Sequence, residues 1–172
     1  IFQAKALPAA GCAIAYITPV SEDQEILKIA PYVRDILVKT DTGRDFGSWA
    51  LAIASLKNEF SEFDSVIWMN DSTYFPLFDP EIMFTEMERR GSDFWGVVDS
   101  YNVKWHVMSW FWVFGARAIS NGWFDWYLDE YNSTHTKWGQ IHNYEMRLPG
   151  LLKSSGLSVD SYIRAEELGR HI

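Results

Sequence analysis

Asn70, Asp71 and Ser72 directly follow an apolar run, DSVIWM, at positions 64–69. A carboxylate fixed at the end of a buried strand can bind a divalent cation that neutralises a diphosphate. The same three residue types are also common turn formers. A second cluster is DTGRDFGSW, at 41–49. Gly43 lets the backbone pass close to a ligand. Arg44 suits a phosphate and Asp45 a sugar or base hydroxyl, although Asp45 also suits capping of the next helix. In DFWGVVDS, at 93–100, the indole of Trp95 fits the apolar face of a sugar ring and Gly96 admits that ring; core packing is the commoner fate of such a Trp. Asp99 ends this run and would face a cleft. His106, near Ser109 and Trp110, lies on an apolar run, where a histidine is more often a hydrogen-bonded core residue than a ligand. In HNYEMRL, Glu145 follows His142 by three residues on one helical face. It is a candidate general base or part of a solvated face.

Several chemistries have no support. The chain has no P-loop, GxGxxG, HExxH or GxSxG. The single cysteine, Cys12, rules out an internal disulfide or a CxxC site and reads as a small buried residue. A net charge of -8 opposes nucleic-acid binding. The length of 172 residues with 48% apolar content suits one domain, residues 1–172. With 9 Trp, 8 Tyr and 11 Phe, many rings must line a core or a cleft.

The elements that must position these residues follow from periodicity. Helices are predicted over Phe2–Ala10, around Ile26–Ala30 after a turn opened by Ser21, from Asp45 to Phe60, from Pro80 to Arg90, from Ala116 to Tyr131, and from Lys137 to Ser154 with a kink at Pro149. The last two are separated by a polar loop, NSTHT. Strands are predicted at Ala13–Ile17, Asp35–Lys39, Asp64–Met69, Asp93–Val98 and Trp105–Phe114, with an edge strand at Leu157–Ile163. This alternation predicts a three-layer α/β sandwich with a mostly parallel central sheet. Such sheets bind ligands at the carboxyl ends of their strands. Asp45, Asp71 and Asp99, each just past a strand end, should then converge on one cleft, with Arg44 turned in to offset their repulsion. The apolar stretch Val107–Ile119 is broken by Gly115 and Arg117 and is too short to span a bilayer. No basic n-region precedes an apolar segment, so no signal peptide is expected. A start at Ile1 leads us to expect a fragment of a longer protein.

Taken in order, GRDFGSW, FDSVIWMNDSTYFPLF, DFWGVVDS, HVMSWFWVFGARAI and NYEMRL resemble the rhamnan synthesis protein F family over roughly Tyr16 to Leu157. These are bacterial glycosyltransferase-like proteins of cell-surface polysaccharide assembly, similar in turn to inverting GT-A glycosyltransferases. The resemblance implies a GT-A-like fold that here lacks its first strand. It implies a nucleoside-diphosphate sugar as donor, with rhamnose one candidate sugar, and a glycan or lipid-linked glycan as acceptor. It also implies a cytoplasmic location at the inner face of the membrane. Donor contacts would come from Gly43, Arg44, Asp45, Asn70, Asp71, Ser72, Trp95, Gly96 and His106. The triplet at 70–72 stands where the family's relatives carry a DxD metal motif, with one carboxylate in place of two. Either Asp71 ligates Mg or Mn alone, or Arg44 neutralises the phosphates. Glu145 or Asp99 would take the acceptor proton. The rival expectation is a carbohydrate-binding module that keeps the fold without catalysis.

Overall fold

The computed structural model describes residues 2–8, 11–19, 23–40, 43–133 and 136–169. The expected helix end at Ala9 and Ala10, the Ser21 turn, Asp41 and Thr42 of the second cluster, and Thr134 and His135 of the polar loop lie outside them.

The chain opens with α1 (Phe2–Ala6), β1 (Ala15–Thr18), α2 (Asp23–Ile29) and β2 (Asp35–Val38). β1 and β2 pair in parallel as a two-stranded sheet. Next come α3 (Arg44–Leu56), a 3-10 extension over Lys57–Glu62, β3 (Ser65–Met69), α4 (Glu81–Arg90) and β4 (Phe94–Ser100). Gly91 stops α4 in the left-handed region, at φ 66°. β5 (His106–Val107) and β6 (Phe111–Gly115) follow, then α5 (Ala116–Ile119), α6 (Trp123–Glu130), α7 (Lys137–Gln140), a π-helical turn (Ile141–Glu145), α8 (Leu148–Ser154), β7 (Val159–Ile163) and α9 (Ala165–Leu168).

The mostly parallel, GT-A-like central sheet expected from the sequence does not form. In the five-stranded sheet β6 lies between β3 and β4, antiparallel to both, and β5 is antiparallel to β4; only β7 joins β4 in parallel. The reason is the link after β4. Only Tyr101–Trp105 separates β4 from β5, whereas a parallel return needs a crossover of about a dozen residues or more. The chain must therefore turn back antiparallel.

The single strand expected over Trp105–Phe114 is also two. β4 pairs Gly96 with Trp112 and Asp99 with Val107. Val97 and Val98 thus stand against four residues, Met108–Phe111, and the excess bulges out of the ladder. Likewise Gly122, at φ 79°, divides the expected 116–131 helix into α5 and α6. Pro149 starts α8 rather than kinking a longer helix.

The five-stranded sheet buries apolar residues on both faces. Strand alternation sends Trp68, Phe94, Trp112 and Phe114 to one face, where Trp49 and Ile53 of α3 and Trp123, Phe124 and Tyr127 of α6 cover them. It sends Trp95, Phe111 and Val113 to the other, against Met83 and Met87 of α4. This second face is why Trp95 is unavailable to a ligand: its ring lies 5.5 Å from that of Phe84 and 6.1 Å from that of Phe111.

Candidate functional site

A cavity of about 750 Å³ opens where β1, the start of α3 and the end of β3 meet. Lys39, Arg44, Asp45, Asn70, Asp71 and Ser72 are among its polar lining residues, and Ala4, Leu7, Ile17 and Ile29 among its apolar ones. The 44–45 and 70–72 clusters, far apart in sequence, are therefore neighbours, and Arg44 stands in the same cavity as Asp45 and Asp71.

Local backbone geometry sets this up. Gly43 directly precedes α3, and its carbonyl accepts from Gly47 N at 2.8 Å and from Gln140 Nε2 at 3.2 Å. Arg44 sits in the left-handed region at φ 53°, a conformation costly for a residue with a Cβ. Its carbonyl accepts from the Lys39 ammonium. The Asn70–Ser72 turn is held by Asn70 N donating to Trp110 O at 3.0 Å, and by Gln3 Nε2 donating to Asn70 O at 3.3 Å. Gln3 also reaches Thr73 O at 2.5 Å. Asn70 Oδ1 is buried without a hydrogen-bond partner, an acceptor that a ligand donor would satisfy.

Electrostatically the carboxylates are uncomfortable together. Desolvation, and then the charge of Asp71, push the Asp45 carboxyl above its usual value, while Lys39, Lys137 and Arg44 pull it back. Among the described residues no group of three or more His, Cys, Asp or Glu side chains gathers as a metal site. Asp71, in the cavity lining, is the kind of single carboxylate that could serve a hard cation whose shell is completed by water and phosphate oxygens.

The other candidates lie elsewhere. Gly96 is packed, not open: a Cβ there would fall 2.4 Å from Val107 Cγ1 and 2.7 Å from Phe111 O. Asp99 is buried, accepting from Trp105 Nε1 at 2.8 Å and from Ala165 N at 2.6 Å, where it starts α9. Glu145 and His106 are 5% and 3% exposed and face each other, Oε1 to Nε2, at 3.1 Å. Glu145 Oε2 accepts from Ser109 N at 3.2 Å, a donor released by the 108–111 bulge. His106 Nδ1 lies 2.8 Å from Lys104 O, and since a carbonyl only accepts, Nδ1 carries a proton. His142, which the sequence set beside Glu145, is exposed. None of Trp95, Gly96, Asp99, His106 and Glu145 lines the cavity. Sequence reasoning missed Gln3 and Lys39; only the position of Lys39 at the end of β2, one strand from the 70–72 turn, could have pointed to it.

The model of the family described as rhamnan synthesis protein F matches residues 16–171. The chain belongs to the rhamnan synthesis protein F family. The match takes in both clusters at the cavity and the His106–Glu145 pair. The family's description names rhamnan synthesis, and the chain is a member of that family. It is also similar to an uncharacterized protein, y4gN, of Sinorhizobium fredii, with 25% identity over 145 residues, which cover 82% of this chain and 38% of that protein. The matched region thus spans well under half of the curated relative. No solved structure matches this family member. Among its described residues no helix is long and apolar enough to cross a membrane.

Proposed function

We infer that this region binds the donor in a nucleotide-sugar-dependent glycosyltransferase of polysaccharide synthesis. The observation that carries this reading is the meeting of Arg44, Asp45, Asn70, Asp71 and Ser72 in the lining of one cavity that apolar side chains also line. Such a mixed lining suits a ligand that combines an ionic group with a flat, weakly polar ring. Arg44 and Lys39 face the diphosphate. Asp71 would hold Mg or Mn, which would offset the charge of the leaving diphosphate. The acceptor hydroxyl oxygen forms a bond to the anomeric carbon as the bond to the diphosphate oxygen breaks, and the nucleoside diphosphate leaves with the electron pair. Asp99 and Glu145 are committed to internal partners. Asp45, the other carboxylate in the cavity lining, receives the hydroxyl proton. Rhamnose remains the sugar to try first, on the family's name, with a surface glycan or lipid-linked glycan as acceptor.

The internal commitment of Asp99 and Glu145 favours one second reading, a glycan-binding module without catalysis. Titration calorimetry with a panel of nucleoside diphosphates, with and without Mn, separates the two. Binding that weakens at least about tenfold in both Arg44→Ala and Asp71→Ala supports the donor site. Binding of glycan with no response to any nucleotide would falsify it in favour of the module.

A further inference from the structure

β1 is paired along one edge, with β2, and β3 along one edge, with β6; among the described residues no other strand joins either. Between them lies an apolar groove of about 410 Å³. All five successive residues of β3, Ser65–Met69, line it. A strand presents consecutive residues only along its edge, because its faces take alternate ones. Ile14, Ala15 and Ile17, in and just before β1, line the opposite side. Both layers overhang the groove: Trp49, Ala52 and Leu56 of α3 belong to one side of the five-stranded sheet and Phe84 of α4 to the other. A segment lying there would be covered on both faces and would meet, on either side, a strand edge that no other strand joins among the described residues. Among the described residues the parallel sheet has only β1 and β2, where such sheets normally have further strands.

We propose that the groove between β1 and β3 seats an extended, apolar strand supplied by polypeptide flanking residues 1–172, which pairs with both edges and joins the two sheets. A source within the same protein is favoured because the curated relative carries more than half its length outside the matched region. The groove and the cavity share Leu7, Ile14, Ala15, Ile17, Trp49 and Met69. The seated strand therefore closes one wall of the cavity. This inference stands on the strand edges and is independent of what the cavity binds.

Hydrogen–deuterium exchange tests it without reference to activity. Residues 1–172 alone are compared with the same region joined to its natural flanking polypeptide. Amides in Ala15–Thr18 and Ser65–Met69 should exchange at least about 100-fold more slowly in the longer protein. Cys12, which lines the groove, should also react more slowly there with N-ethylmaleimide. Equal exchange in the two proteins overturns the proposal. So does protection that appears in the short chain only as its concentration and molecular mass rise together, which assigns the groove to a second copy.

Discussion

Arg44 carries a cost that its place at the cavity explains. Its φ of 53° suits glycine, yet an arginine is kept where a cation can meet a ligand. Arg44→Gly and Arg44→Ala both remove the charge, but only glycine relieves the backbone. Urea unfolding should find the glycine variant more stable than the alanine variant by about 1 kcal/mol; the reverse order would refute strain at this position. Asp45 gives a pH signature. Its folded carboxyl is raised above the unfolded value, chiefly by desolvation. The folded state thus binds this proton more tightly. Its contribution is complete below the unfolded value of about 3.9 and is lost as pH rises through the folded one. Asp45→Asn should then raise Tm near neutral pH by about 1 °C, a small value because the side chain is still open to solvent. Calorimetry at low pH should show the gain disappear, and an equal gain at both pH values would rule this cause out.

At the scale of elements, the 108–111 bulge and the π-helical turn are clipped together. Glu145 accepts from the bulge's Ser109 amide and pairs with His106 at the bulge's edge. Both His106 nitrogens face oxygens, Nδ1 the Lys104 carbonyl and Nε2 the Glu145 carboxylate. Removing one partner leaves the other buried without it. His106→Leu and Glu145→Met should each cost about 3–5 kcal/mol, and the double variant less than the sum of the two. Additive losses in a double-mutant cycle would show that the two groups do not act as a pair. These two features also mark where the sequence ceased to be legible. The 105–114 run is apolar throughout, so its periodicity hid the bulge, and only the ladder's register reveals it. Elements bounded by a strong signal, such as α4 with Pro80 before it and Gly91 after it, are read correctly from the chain. The cavity was legible for Arg44, Asp45 and Asp71 because each follows a strand by a few residues. It was not for Asp99, whose strand belongs to the hairpin rather than to a parallel rim.

For the molecule as a whole, sheet direction depended on one short link, Tyr101–Trp105, that no hydrophobic pattern reports. Charge acts at this scale too. A net charge of -8 on 172 residues repels itself. Raising NaCl from about 10 to about 150 mM should raise Tm as the Debye length shortens, and a fall in Tm would mean that attractive pairs such as Arg90–Asp160 and Arg117–Asp93 dominate instead. The aromatic core has a different consequence. Trp49 stacks on Trp68 with ring centroids 4.9 Å apart and planes 24° from parallel, and lies 5.4 Å from Trp112. Indoles this close share their excited states, giving a split near-ultraviolet dichroism band and passing excitation from ring to ring before emission. Trp49 is also in the wall of both the cavity and the groove. A ring in exchange with its neighbours in the core thus borders both openings, and whatever enters either of them should register in the intensity of the protein's own fluorescence.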